Sequence, residues 1–339
     1  MKQKERNILL GHGSGGKMMH DLIETVFLKY FSNSILIDQT DAAILSSGSS
    51  DIAFTTDSFV IDPLFFPGGN IGKLAVCGTV NDLAVSGAEP LYLSASFIIE
   101  EGFPISELEV IAKSMAAEAK KAGVLIVTGD TKVVNKGKCD KLFINTAGIG
   151  SVRKENLHIS KAQNIVPGDV IIINGTIGDH GIAVLNARES FNFTSNVESD
   201  CASLNHMINA LVGKSTVKFM RDPTRGGVAA VLNELAGKTG MGIEIEEAAL
   251  PVRNSVKAMC EILGLDPLHV ANEGKVVIVA PETNASEILK ILKNFEYGKD
   301  CAIIGRMLTD HPGRVVLKNI TGGRRIIDSL SGDQLPRIC

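Results

Sequence analysis

Five aspartates occupy positions from which carboxylates can converge: Asp38 and Asp41 in DQTD, Asp57 in TTD, Asp82 in NDLA and Asp130 in TGDT. Mg²⁺ is a hard cation that takes oxygen ligands and usually joins one or two carboxylates to phosphate oxygens, so this set suits a metal and nucleotide site. Taken singly, each reads as a turn or helix-cap residue. Near the start, Gly11, Gly16 and Lys17 fit G-x-x-x-x-G-K, in which backbone amides face phosphate oxygens and Lys adds charge. Met18 stands where Ser or Thr would ligate Mg²⁺, and only ILL precedes the glycines where a full strand belongs. A P-loop fold is therefore not expected. An arm that folds over phosphates keeps the amides and Lys17 without that fold, and a merely flexible glycine-rich arm is the plainer alternative.

Other residues offer proton or anion chemistry. Lys132, two residues after Asp130, would neutralise phosphate or move a proton if neighbours lowered its pKa; otherwise it is a solvated loop lysine. RDPTRGG (221–227) joins Asp222, Thr224 and Arg225 to a Gly-Gly helix entrance that suits an anion, or simple capping. Glu273, in ANEGK before an apolar strand, is a candidate general base or a solvated loop glutamate. His12, His180 and His269 lack metal-ligand spacing. Cys77, Cys139, Cys201, Cys260 and Cys301 form no CxxC and read mostly as reduced core thiols. Cys339 is the last residue. A thiol there has no packing value, and a swinging-arm nucleophile or carrier is its sharpest role, while a prenylation box would need Cys four residues from the end.

These groups must be held by alternating strands and helices. DIAFTTDSFVID (51–62) reads as a strand, and 70–88 as a helix with Asn81 and Asp82 in its second half. PLYLSASFII follows as a strand; Ser106 and Glu109 then form an S-x-x-E capping box ahead of an amphipathic helix that Gly123 stops. VLIVTGD reads as a buried strand and KLFINTAGIG as another. VPGDV (166–170) marks a boundary, beyond which VIIING, KVVIVAP, MGIEIEEA, CAIIGRML and RVVLKNI read as strands among five helical segments. The divisions are an N-terminal arm (1–34), a first α/β domain (35–155), a second (166–330) and a mobile tail (331–339) carrying Cys339. Two halves of similar size are compatible with a duplicated or paired architecture.

Composition narrows the function classes. Hydrophobic residues make up 45% and charged residues 21%, which describes a globular chain. With 34 Lys plus Arg against 38 Asp plus Glu, net charge is -4, and Trp is absent, so neither a basic field nor stacking platforms favour nucleic acid. No apolar run spans a membrane and no signal-peptide core precedes the glycines, so a cytoplasmic location is expected.

Taken in order, GHGSGGKM, DQTDAA, TTDSFVIDPLFFPGGNIGKLAVCGTVNDLAVSGAEP, TGDTKVV, RDPTRGG, ANEGK and the ending PRIC resemble the HypE family of hydrogenase maturation proteins over essentially the whole chain. The wider superfamily includes aminoimidazole ribonucleotide synthetase, selenophosphate synthetase and thiamine-monophosphate kinase. PRIC does most to separate the members, and His12 and Ser14 stand where a selenophosphate synthetase would carry Cys or selenocysteine.

The resemblance implies a two-domain, mixed α/β ATP-binding fold that pairs as a homodimer, and an ATP-dependent carbamoyl dehydratase. A HypF-family carbamoyltransferase would load Cys339, ATP would phosphorylate the carbamoyl oxygen, and loss of phosphate would leave a thiocyanate. Its cyano group would pass to iron on a HypC–HypD scaffold for nickel-iron active-site assembly. By the same resemblance Asp41, Asp57, Asp82, Asp130 and Asp222 would hold Mg²⁺ and ATP, with Asn81 and Thr131 beside the nucleotide. Gly13, Gly15, Gly16 and Lys17 would close over phosphates, and Lys132 and Glu273 would handle protons. The alternatives are a small-molecule kinase or synthetase of the superfamily, which needs no terminal thiol, and a non-catalytic nucleotide-binding scaffold.

Overall fold

The computed structural model describes residues 8–31, 33–47, 50–189, 196–212 and 216–330. The tail 331–339, and with it Cys339, lies outside the described residues. The chain begins with α1 (Lys17–Leu22), a π-helical stretch (Ile23–Phe27) and α2 (Leu28–Phe31). The first half then runs β1 (Ala43–Ser47), β2 (Ser50–Phe59), β3 (Phe65–Phe66), β4 (Gly69–Asn70), α3 (Ile71–Val85), β5 (Ala88–Glu100), α4 (Ile105–Ala122), β6 (Leu125–Val134) and β7 (Leu142–Val152).

Five of these strands form one sheet in the order β1-β2-β7-β5-β6, with β3 and β4 as a separate hairpin. Only β5 and β6 run parallel, because α4 supplies the crossover that a parallel pair needs. α3 packs against β2, β5, β7 and α4.

α3 starts because the Asn70 side chain accepts from the Gly72 and Lys73 amides at 2.9 and 3.1 Å. Apart from Lys73, Thr79, Asn81 and Asp82 its residues are apolar or glycine, and they face more than one side. Ile71, Leu74 and Val80 fill the core under the first sheet, while Ala84 and Val85 join a core with Leu204, Ile208 and Met220 of the second half. A helix hydrophobic all round must be buried all round, and this one lies between the two halves.

Two expectations need correction here. The Ser106–Glu109 capping box does not form: Pro104 is the N-cap, its φ of -65° already suits helix entry, and Ser106 is inside the first turn. The strand expected to be buried at VLIVTGD is β6, an exposed edge that pairs only with β5, with Leu125, Val127 and Val133 exposed by 63, 59 and 67%.

The second half contains β8 (Val170–Ile173), α5 (Asp179–Glu189), α6 (Asn205–Val212), β9 (Phe219–Arg221), α7 (Gly227–Thr239) and β10 (Gly242–Glu246). It continues with α8 (Asn254–Leu263), β11 (Val277–Ala280), α9 (Ala285–Leu292), β12 (Ala302–Leu308), β13 (Val315–Lys318) and β14 (Arg324–Ile327). Its sheet order is β14-β13-β10-β12-β8-β11-β9.

β8 and β11 read as unbroken apolar runs because both of their faces are covered. Ile171, Ile173, Val277 and Val279 meet Val228, Leu232 and Leu235 of α7 on one side. Val170, Ile172, Ile278 and Ala280 meet α6 and α9 on the other. Among the described residues no helix is long and apolar enough to cross a membrane.

Candidate functional site

A cleft of about 250 Å³ opens between the halves. The first half contributes Asp41, β2 from Thr55 to Phe59, and Asp82 from α3; the second contributes Arg221, Asp222, Thr224, Arg225, Glu234 and Glu273, and Gly15 of the N-terminal arm closes one side. Asp41, Asp57, Asp82 and Asp222, read separately from the sequence, therefore meet in one place. Gly78 lets β2 approach α3 here, since a Cβ on it would lie 2.8 Å from the Phe59 ring.

The carboxylates are anchored from behind. Thr55 Oγ1 lies 2.9 Å from both Asp82 Oδ2 and the Asp41 carbonyl oxygen. Arg221 donates to Asp41 Oδ1 at 2.7 Å, to the Gln39 carbonyl at 3.2 Å and to Glu234. Glu234 in turn lies 3.3 Å from His20 Nε2, which ties α1 to α7.

The cluster is short of positive charge. Burial pushes Asp82 well above the usual carboxylate range, and Asp222, Asp57 and Asp41 push it further. Burial, with repulsion from Asp41, pushes Asp222 up to about 7 despite Arg221. Asp57 and Asp41 are also raised by burial, opposed by Arg225 and Arg221 respectively.

Among the described residues no three His, Cys, Asp or Glu side chains form a ready-made metal cage. The donor set nonetheless fits Mg²⁺, which favours one or two carboxylates plus phosphate oxygens over an all-protein shell. Burial first, and then mutual repulsion, holds protons on Asp82 and Asp222, and a divalent cation would counter both by favouring the ionised carboxylates.

The glycine arm meets the cleft and the chain end together. Gly15, at φ +79°, sits where a Cβ would stand 2.9 Å from the Arg225 carbonyl oxygen, and Arg225 donates to the Gly13 carbonyl at 3.1 Å. At Gly16 a Cβ would fall 2.3 Å from the Leu330 carbonyl oxygen, which accepts the Lys17 amide at 3.1 Å. The Lys17 side chain is exposed and does not line the cleft.

The remaining predicted residues divide. Glu273 lines the cleft, only 5% exposed. Asn81 is buried just behind it, donating to the Ala202 and Glu273 carbonyls and accepting from the Leu204 amide at 2.8 Å. Its amide fastens the two halves together. Asp130, Thr131 and Lys132 lie on exposed β6 and do not line this cleft; Lys132 lies 3.0 Å from Asp130 and holds its carboxyl below the usual range.

Asp38 is exposed. His180 is buried, pushed down to about 4 by burial and hydrogen-bonded to Ser199; His269 bonds the Asp328 carbonyl and His12 bonds Leu9. Among the described cysteines, Cys77, Cys201, Cys260 and Cys301 are buried free thiols, as expected, and Cys139 is half-buried.

Thr55, Arg221, Glu234 and Asp200 were not singled out in the sequence. Thr55 and Arg221 stand inside the quoted TTD and RDPTRGG motifs; Glu234 and Asp200 carry no local signal.

Two α/β halves sharing an acidic cleft define an AIR synthase related protein: residues 39–152 match the N-terminal domain of that family and residues 166–318 its C-terminal domain. The carbamoyl dehydratase HypE of Rhodobacter capsulatus is 49% identical over 343 residues, covering 100% of both chains. A chain in the crystal structure of a HypE–HypF complex is 51% identical with a TM-score of 0.86, covering 91% of this chain and 99% of that one. HypE crystallised in complex with ATP is 46% identical with a TM-score of 0.82, covering 98% and 100%. The chain belongs to the HypE family of carbamoyl dehydratases.

Proposed function

We propose that this chain uses ATP to dehydrate a carbamoyl group carried on its own Cys339, leaving a thiocyanate that supplies cyanide for nickel-iron active-site assembly. The observation that carries this reading is one cleft in which four aspartates, Gly15 and Glu273 meet, beside the arm that holds the root of the chain leading to Cys339. The nine residues from Leu330 to Cys339 reach at most roughly 30 Å when extended, so the thiol can be delivered intramolecularly.

An amide-like oxygen is a poor leaving group. Transfer of the terminal phosphoryl group of ATP to the S-carbamoyl oxygen, with loss of one N–H proton, gives ADP and the O-phosphorylated imidate Cys–S–C(=NH)–O–phosphate. Breaking the C–O bond with loss of a second N–H proton then gives Cys–S–C≡N and inorganic phosphate. Asp41, Asp57, Asp82 and Asp222 are the carboxylates that would hold Mg²⁺, which when bound would supply charge neutralisation on the phosphates. Glu273, at the cleft wall, is placed to accept a proton from the carbamoyl nitrogen.

Asp130, Thr131 and Lys132 would complete the site from a second copy. β6 is an open edge, and Phe54, Tyr92, Ile98 and Ile149 are exposed apolar side chains on neighbouring strands; pairing of first halves covers such an edge. A homodimer would thus bring Lys132 to the phosphates or the leaving proton. A HypF-family transferase is the proposed carbamoyl donor, in keeping with the relative crystallised with HypF. A HypC–HypD scaffold is the proposed cyanide acceptor, and the cytoplasm the proposed location.

Peptide mass spectrometry after incubation with ATP, Mg²⁺, carbamoyl phosphate and the transferase tests the reading. A carbamoyl adduct on Cys339 that loses the mass of water only with ATP is expected. No adduct on Cys339, with an active transferase, would overturn it.

A further inference from the structure

Glu273 stands on residues 271–276, which are neither helix nor strand, yet their backbone is held by buried side chains on several sides. The Val276 amide donates to Asn174 Oδ1 at 2.8 Å, and Asn174 Nδ2 donates back to the Gly274 carbonyl at 3.2 Å. Asn81 of α3 donates to the Glu273 carbonyl at 3.2 Å. The Glu273 amide donates to Asp200 Oδ1 at 3.1 Å. The other oxygen of Asp200 lies 2.8 Å from Lys275 Nζ, and these two charged side chains are only 5 and 6% exposed.

Close packing reinforces the contact. A Cβ at Gly274 would fall 1.9 Å from the Asp200 carbonyl oxygen, so the loop lies directly on the 200–204 segment. Asn81 bonds Ala202 and Leu204 of that same segment. Glu273 is thus held between the first half and a strap of the second.

A buried ion pair is a poor way to gain stability, because desolvation of the two charges offsets much of their attraction and a packed apolar pair often does as well. An apolar pair at 200 and 275 could fill the same space but could not accept the Glu273 amide. We propose that Asp200, oriented by Lys275, is a positioning residue that sets where the Glu273 side chain stands in the cleft. This rests on the reading of Glu273 as the group that accepts the carbamoyl proton. Burial opposes the charge on Asp200, but Lys275, His180 and the Glu273 amide together outweigh it and keep its carboxyl below the usual range, so the acceptor stays ionised.

The test uses full-length protein, carbamoylated on Cys339 by the transferase, and reads the single-turnover loss of water, the KM for ATP and the melting temperature. Asp200→Leu with Lys275→Met removes the acceptor without leaving a lone buried charge. It should melt within a few degrees of the parent, the unpaired Glu273 amide offsetting what loss of the buried ion pair gains, and keep the KM within about twofold, while dehydration slows by about tenfold or more. Asp200→Asn with Lys275→Met restores an oxygen acceptor and should recover most of the rate. Where the Leu variant does not fold, Asp200→Ala with Lys275→Met reads the same loss. Parent-like dehydration in the acceptor-less variant, or an Asn variant no faster than the Leu variant, overturns the proposal. Glu273→Gln separates the two levels: an inactive Glu273→Gln beside a parent-like Leu variant defeats the positioning role alone. A Glu273→Gln protein that dehydrates normally defeats the proton role and the positioning role with it.

Discussion

Replacing Asp222 by Asn should make the metal-free protein less sensitive to rising pH. Its carboxyl titrates near 7 in the folded state against an ordinary 3.8, so between those values the folded chain holds a proton that the unfolded chain has lost. The contribution to stability is therefore full below about pH 4 and is lost as pH rises through 7. Between pH 5.5 and 7, about 1.5 units, the folded carboxyl keeps a proton that the unfolded chain lacks, which costs about 2 kcal/mol at 1.36 kcal/mol per unit. For a chain of this size that is about 3 °C in melting temperature. The assay is calorimetry in chelator at pH 5.5, 7 and 8, with parent and Asp222→Asn compared at each pH so that titrating groups outside this carboxylate cluster cancel. The parent should lose about 3 °C more than the variant across the range, and Mg²⁺ with ATP should return that difference to the parent only. Parallel pH profiles for the two proteins would refute the claim that burial and the neighbouring carboxylates hold a proton on Asp222.

Three further outcomes are expected. Val127→Asp, on the exposed edge β6, should convert a dimer into a monomer by light scattering and remove dehydratase activity while leaving the far-ultraviolet circular dichroism unchanged. Gly16→Val, whose Cβ would fall 2.3 Å from the Leu330 oxygen, should loosen the root of the tail and speed proteolytic release of the C-terminal peptide. Leu74→Ala, at 0% exposure inside α3, should cost about 2–5 kcal/mol in urea unfolding.

Much of the site was legible because its residues sit in short, chemically distinctive motifs. TTD ends a strand, NDLA rides a helix and RDPTRGG enters one, and those local readings bring Asp57, Asp82 and Asp222 to the same cleft. Asp130 followed a different course. VLIVTGD is apolar enough to read as a buried strand, but an edge strand awaiting cover has the same pattern, and a single sequence does not say which neighbour supplies the cover. The capping box at Ser106 was lost to a backbone effect, since Pro104 sets the helix entry two residues earlier. Asp200 gave no signal at all. Its role depends on a contact with residues 273 and 275, more than seventy positions away, and no local spacing encodes such a pairing. β9 and β14 escaped for a similar reason: three or four residues at a sheet margin form strands only because a neighbour is already there.

The burial of α3 on all sides bears on how the molecule comes apart. Ile71 and Leu74 belong to one core and Ala84 and Val85 to another, so neither half retains a closed interior once the other is gone. Cutting the chain between 153 and 166 would not yield two autonomous folding units; each fragment would expose a strip of aliphatic surface and self-associate. Opening around Asp82 then requires both cores to break, so amide hydrogens in the middle of α3 should exchange only through whole-molecule unfolding. The wall of the cleft that carries Asp82 is in this sense the last part of the protein to soften, while the N-terminal arm and the exposed edge strand β6 remain free to adjust.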